Sequence, residues 1–127
     1  MSTAGMSIEE RDTGPELPEG PVRQLVDAVR RGDARAFADL FATDGAIDDC
    51  AIDDWGRVFV GRDRVEFWNS SEFMGLDGRL TIRHVALEEH PVLTVDIATT
   101  GGYNGPGRLT FVLTGDGRRI HRLLMTD

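Results

Sequence analysis

Residues 32–49 read GDARAFADLFATDGAIDD, and this stretch passes from a short helix through a break into a strand. Phe37, Leu40 and Phe41 recur at helical spacing and form an apolar stripe. Residues 43–45, Thr-Asp-Gly, have turn chemistry and interrupt that stripe. The stretch therefore predicts the second helix of a helical hairpin and, directly after it, a strand that enters the core.

The predicted strand is unusually acidic. Residues 44–54, DGAIDDCAIDD, hold five aspartates in eleven positions. Aspartate is depleted in strands and is rarely buried without a partner. Because neighbouring strand residues face opposite sides of a sheet, Asp48 and Asp49 cannot both reach solvent if one face is covered. At least one carboxylate is expected inside the protein, which makes this strand the first place to look for chemistry.

The segment before this stretch predicts another helix. Pro21 suits its first turn, Gly32 suits its end, and Asp33 suits the N-cap of the helix that follows. The apolar stripe of the first helix comprises Val22, Leu25, Val26 and Val29. Residues 1–20 instead carry five acidic side chains against one arginine, a composition typical of a disordered acidic tail. One folded domain is expected over residues 21–127.

The rest of the chain reads as one helix among strands. Residues 57–60 suit a short strand, and a third helix begins near Arg62 and carries Val65, Phe67 and Trp68. Turn residues divide the remainder into strands near residues 80–89, 92–100, 108–114 and 119–125. The order α-α-β-β-α-β-β-β-β predicts an α+β protein in which three helices pack on the concave face of a curved antiparallel sheet.

Composition excludes several classes of function. All 14 basic residues are arginine, so no lysine is present for Schiff-base chemistry or for a phosphate-binding loop. The net charge of -8 argues against nucleic acid or an anionic membrane as a partner. Because no signal-peptide pattern and no membrane-spanning apolar run occur, the cytoplasm is expected. Cys50, the single cysteine, is expected to fill space on an internal strand rather than act as a nucleophile.

The element order, the stretch at residues 32–49 and the later string FVGRDRVEFW at residues 59–68 resemble the nuclear transport factor 2-like superfamily. The chain looks closest to its SnoaL-like and ketosteroid-isomerase-like members, over residues 21–127. The resemblance implies a cone-shaped sheet with a cavity for a small apolar metabolite, and a homodimer formed through the sheet. Some members are isomerases, dehydratases or polyketide cyclases that need no cofactor, whereas others only bind ligands or assemble.

The same resemblance bears on individual residues. The general-base aspartate of the steroid isomerases falls on Asp49. The tyrosine that stabilises the oxyanion in those enzymes falls on Leu25, and their protonated aspartate falls on or near Leu109. Loss of one oxyanion donor typically costs about 10²- to 10³-fold in rate. Two hypotheses therefore remain: a cofactor-independent isomerase, cyclase or dehydratase, and a non-catalytic ligand-binding or assembly module.

Two residues are candidates for acid–base chemistry. Asp49 shares a strand face with Ile47 and Ala51, and in an apolar cavity it would serve as a base; the alternative is an ion pair with an arginine such as Arg83 or Arg122. His84 interrupts the apolar alternation of Leu80 and Ile82, which would point its ring into the same cavity as a proton carrier or hydrogen-bond donor. A histidine there also fits a plain hydrogen bond within the sheet.

The remaining candidates would contact a ligand. Aromatic and apolar side chains expected to line the cavity are Phe41, Trp55, Trp68, Leu109 and Tyr103, although most of this surface also suits a plain core. Tyr103 lies in the glycine-rich turn at residues 101–107, which is either a lid or a simple hairpin tip. The histidines lack metal-ligand spacing, so neither a metal nor another cofactor is expected.

Overall fold

The structure, a computed structural model, describes residues 16–50 and 57–127. Its helices are α1 (Pro21–Arg31), α2 (Ala34–Asp39) and α3 (Arg62–Glu72), and a 3₁₀ turn (Met74–Leu76) follows α3. Its strands are β1 (Phe41–Asp49), β2 (Arg57–Val60), β3 (Arg79–Ala86), β4 (Val92–Ala98), β5 (Gly105–Leu113) and β6 (Ile120–Thr126). This order and the α+β class confirm the prediction from the sequence.

The strands form one curved, unclosed sheet in the order β2-β1-β6-β5-β4-β3. Strands β3 to β6 form the predicted antiparallel meander, and β2 pairs with β1 in the same way. The pairing of β1 with β6 is parallel. Helix α3 packs on β1 and β2, α2 on β1 and α1 on β3, so the helices pack against the sheet from β2 to β3.

The local signals at the helical hairpin are confirmed. Every member of the predicted apolar stripe of α1 is buried. Gly32 ends α1 with a φ of 68°, a left-handed conformation that glycine adopts without steric cost. Asp33 caps α2, because its Oδ1 accepts a hydrogen bond from the backbone N–H of Ala36 at 3.0 Å.

The core lies between the helices and the inner face of the sheet. Successive side chains of β4 alternate between the two faces of the sheet, and Leu93, Val95 and Ile97 on its inner face are buried. The largest buried side chains are aromatic or branched: Trp68, Phe37, Phe41, Phe111, Leu25 and Ile47. The helices and the sheet therefore share one hydrophobic core.

The end of α2 differs from the prediction. Phe41 is the first residue of β1 rather than part of the helix stripe, although it is fully buried. The Leu40 carbonyl accepts a hydrogen bond from the N–H of Ile120, which draws the chain into the sheet at this point. The pairing of β1 with β6 then shifts register between Phe41 and Ala46. Gly45 lies in that irregularity, where a Cβ would stand 2.8 Å from the Ile120 carbonyl oxygen.

Other expectations are also corrected. Phe67 on α3 is 57% exposed, because Val65 and Trp68, three residues apart, share the buried face and Phe67 points away from it. Leu17 is buried in the core, so chain assigned to the acidic tail contributes to the fold. Cys50 is exposed just beyond β1 and does not fill the core. No helix among the described residues is long and apolar enough to cross a membrane.

Candidate functional site

The end of β1 places one carboxylate inside the protein. Asp49 is fully buried, with 0% of its surface exposed, whereas its neighbour Asp48 is only half-buried. The two side chains face opposite sides of the sheet because they are adjacent on a strand. Asp49 lies between Arg57 of β2 and Met125 of β6 in the register of the sheet. Of the two candidates, Asp49 is therefore the internal carboxylate.

An indole holds this carboxylate. Trp68 on α3 donates a hydrogen bond from Nε1 to Oδ2 of Asp49, at 2.8 Å and away from solvent. Trp68 is itself 1% exposed. A fixed donor orients a buried carboxylate and offsets part of its lost hydration. The sequence predicted Trp68 only as part of the cavity wall and missed its hydrogen bond to Asp49. The available signal was its position next to Val65 on the inner face of α3.

Aromatic rings surround the indole. The Trp68 ring stacks on Phe37 at 6.4 Å between centroids and on Phe73 at 6.1 Å. Phe37 in turn lies 5.7 Å from Phe41. Phe41 and Trp68, both predicted ligand contacts, thus belong to one aromatic cluster that reaches Asp49. The cluster fills the core beside the Asp49 carboxylate.

A second predicted residue lies in the same row of the sheet. Asp49 is opposite Met125, Met125 is opposite Leu109, and Leu109 is opposite Leu93. Residues directly opposite each other on neighbouring strands share a face. Leu109 therefore lies on the inner face, two strands from Asp49 or about 10 Å away.

Comparison with known proteins rests on structure. No protein-family model and no curated protein matches the sequence. Among solved structures, a candidate polyketide cyclase from Sinorhizobium meliloti superposes with a TM-score of 0.71 at 18% identity, over 87% of this chain and 95% of that one. An NTF2-like protein from Cytophaga hutchinsonii superposes with a TM-score of 0.65 at 14% identity, over 83% and 84%. The chain has the nuclear transport factor 2-like fold.

A third neighbour carries a ligand in this fold. Rv0760c from Mycobacterium tuberculosis, solved in complex with estradiol-17beta-hemisuccinate, superposes with a TM-score of 0.70 at 14% identity, over 83% of this chain and 88% of that one. Identities at this level establish the nuclear transport factor 2-like fold alone. The resemblance recognised in the sequence is thus confirmed as a fold, and the residues of this chain must carry the argument about chemistry.

Two positions that hold polar groups in the steroid isomerases, by the resemblance stated above, are apolar here. Leu25 on α1 is 1% exposed and Leu109 on β5 is 2% exposed, and both belong to the hydrophobic core. Neither leucine side chain can donate a hydrogen bond to a developing oxyanion. This chain therefore has no polar donor at those two positions, whereas Asp49 lies inside the protein.

His84 does not point into the interior as predicted. The pairing of β3 with β4 shifts register between Ile82 and His84. Ile82 is opposite Val95 on the inner face, whereas His84 is opposite Thr94 and is exposed. The β-bulge adds a residue to β3, so the alternation that led to the prediction changes phase at this point. His84 therefore lies on the outer face of the sheet, opposite to Asp49.

Tyr103 lies in the turn between β4 and β5 and is half-buried against the core. Its hydroxyl donates to the Pro106 carbonyl oxygen at 2.6 Å, and its own carbonyl accepts from the hydroxyl of Thr99 at 2.9 Å. These contacts tie it to its own hairpin. Trp55, another predicted ligand contact, and Ala51 lie outside the described residues.

The surface next to β1 carries the cysteine. Cys50 donates a hydrogen bond from Sγ to Oδ1 of Asp48 at 3.3 Å. This hydrogen bond, together with desolvation and the nearby negative charges of Asp48 and Asp49, raises the pKa of the Cys50 thiol above its ordinary value. The thiol is thus less nucleophilic at neutral pH. Within residues 16–50 and 57–127, no three metal-ligating side chains cluster.

Proposed function

We propose that this protein binds a small apolar carbonyl compound inside the cone and that Asp49 acts on it as a general base. The observation that carries the proposal is the fully buried Asp49 carboxylate, held by the Trp68 indole at the end of a core strand. A carboxylate beside apolar surface can accept a proton from a ligand bound next to it. The bound steroid ester in Rv0760c supports a small apolar ligand for the same fold.

The reaction class follows from what a single internal base can do. Abstraction of a proton next to a carbonyl begins isomerisation, cyclisation and dehydration, and none of these needs a cofactor. Leu25 and Leu109 offer no hydrogen bond to the resulting enolate. The substrate should therefore be one whose enolate is stabilised by its own conjugation, such as an aryl or β-dicarbonyl ketone.

The same two leucines favour a second candidate function. Without polar donors at those positions, an apolar ligand gains contact area but no stabilisation of its transition state there. A binding module of this fold would hold its ligand by apolar contacts next to the buried aromatic cluster of Phe37, Phe41, Trp68 and Phe73. In that case Asp49 and Trp68 would orient the ligand or maintain the fold without turnover.

Proton exchange distinguishes the two functions. β-Tetralone is a flat ketone whose enolate at C1 is conjugated with its aromatic ring, and deuterium incorporation at that carbon can be followed by NMR in deuterium oxide. We expect the wild-type protein to accelerate the exchange and Asp49→Asn to lower that rate by about 10²-fold or more. Asp48→Asn, on the outer face of the same strand, is the matched control and should retain the wild-type rate.

The outcomes of this experiment are separable. An Asp49→Asn protein that exchanges as fast as wild type would exclude Asp49 as the base. Ketones that shift the Trp68 indole resonance without any accelerated exchange would support the binding module. Circular dichroism and thermal unfolding of both variants show whether a lost rate reflects a lost fold.

We also infer that the chain forms a homodimer through the outer face of the sheet. One row crosses that face without a break, from Val58 through Asp48, Leu124, Thr110 and Val92 to Ala86. Four of these six side chains are apolar, and Val58 is 42% exposed. A second copy would cover this surface with a complementary row, since a two-fold axis brings the same residues together.

A further inference from the structure

A surface groove lies away from Asp49. The last turn of α1, the segment that follows α3 and the start of β3 enclose about 740 Å³ between them. Arg30, Arg31, Asp77 and Arg79 line it, and Asp49 does not. Three guanidinium groups against one carboxylate make the groove basic, in a chain whose net charge is -8. The groove therefore has a local charge opposite to that of the whole protein.

Two arginines of the groove, Arg31 and Arg79, are at most weakly engaged among the described residues. Arg31 has an ion pair with Asp33 at 3.8 Å, and both side chains are about half exposed, so this pair is weak. In the part of the chain that the structure describes, Arg79 has no ion pair. Arg30 and Arg31 lie in the last turn of α1, where the free carbonyl groups repel anions, and the positive charges of the two arginines offset this repulsion. Arg79 lies on β3, where no helix end repels an anion.

The floor of the groove is apolar, and glycine residues form part of one wall. Val29 is 8% exposed, and Met74 and Leu80 are partly buried against the core. Gly75 and Gly78 leave the wall without side chains. At Gly75 a Cβ would stand 1.7 Å from the Ser70 carbonyl oxygen, so glycine is required there. Basic groups beside an apolar floor fit a ligand that has both an apolar body and an anionic group.

We propose that this groove binds an apolar organic carboxylate. The ring or chain of the ligand lies on Val29, Met74 and Leu80, and the carboxylate is held by Arg79 with Arg31. A guanidinium matches a carboxylate because two parallel N–H groups meet its two oxygens. Asp77 on the same wall weakens the site for anions and disfavours a ligand with more than one negative charge. This inference does not depend on a catalytic role for Asp49.

The test uses β-naphthoate and its neutral analogue β-naphthalenemethanol. Each is titrated into the full chain while amide resonances are followed by NMR. We expect the carboxylate to shift the amides of Gly32, Gly75, Gly78 and Arg79 and to bind about tenfold or more tightly than the alcohol. Equal affinity for the two compounds, or shifts confined to the Trp68 indole, would overturn the proposal.

Variants locate the charge that matters. Arg79→Gln should weaken binding of β-naphthoate about threefold or more, and Asp77→Asn should strengthen it about twofold. Arg108→Gln, exposed on β5 outside the groove, removes the same charge and should have no effect. Equal losses in Arg79→Gln and Arg108→Gln would show only a general charge effect and would contradict the site. Asp49→Asn should bind β-naphthoate like wild type, which separates this site from the proposed base.

Discussion

The buried carboxylate of Asp49 lowers the stability of the fold, and the same carboxylate is the candidate functional group. A fully buried carboxylate loses its hydration, and the loss is only partly offset by the hydrogen bond from the indole at 2.8 Å. An apolar side chain at this position would pack in the core without that cost. The presence of aspartate is therefore easier to understand from what its oxygens bind than from stability.

A double-mutant cycle measures the bond between these two residues. Asp49→Ala, Trp68→Phe and the double variant should show a coupling free energy of about 1–3 kcal/mol, because either single change removes the hydrogen bond between Nε1 of Trp68 and Oδ2 of Asp49. Urea unfolding of the four proteins gives the value. Asp48→Ala with Trp68→Phe is the control cycle and should show no coupling. Coupling as weak in the first cycle as in the second would contradict the geometry.

Cys50 provides another prediction at the scale of a single residue. Its thiol donates to Asp48, and the raised pKa of Cys50 means that the thiolate forms only at higher pH than in an ordinary cysteine. Alkylation by iodoacetamide at pH about 8 should therefore be slow, and Asp48→Asn should accelerate it by about two- to fivefold. The urea-unfolded protein provides the reference rate. A native rate equal to the unfolded one would disprove the effect of Asp48.

At the scale of elements, α2 depends on its cap. The helix has only six residues, so hydrogen bonds at its ends are a large share of its stability. Asp33→Ala removes the acceptor for the Ala36 N–H and should cost about 1 kcal/mol in the free energy of unfolding. Asp33→Asn keeps an acceptor while it removes the ion pair with Arg31, so it separates the two contributions. Equal losses in both variants would mean that the charge, not the cap, stabilises α2.

The helices and strands also differ in how well the sequence predicted them. The stripe of α1, the stop at Gly32 and the cap at Asp33 depend on neighbours within a few residues, and the sequence predicted all three. The irregularity near Gly45 and the bulge before His84 depend on the partner strand instead. A bulge changes which face every later residue occupies. Alternation therefore placed His84 on the wrong face, whereas the choice of Asp49 over Asp48 came from the resemblance.

For the whole molecule, topology decides which residues can form a site. The parallel pairing of β1 with β6 brings Asp49 into one row with Met125 and Leu109, which lie 76 and 60 positions further along the chain. Nothing in the local sequence specifies that parallel pairing, and the sequence predicted an antiparallel sheet. The basic groove likewise joins residues of α1 to the start of β3, so charge patterning along the sequence did not reveal it.

The outer face of the sheet leads to the prediction for the assembly. If the row through Leu124 is the dimer interface, light scattering should give a mass of 28.0 kDa, twice the 14.0 kDa of one chain. Leu124→Arg should produce monomers, because a two-fold axis would place the two new charges in one interface without partners. Gln24→Arg adds the same charge on an exposed position of α1 and should leave the dimer intact. A wild-type monomer at micromolar concentration, or a Leu124→Arg protein that stays dimeric, would place the interface elsewhere or exclude it.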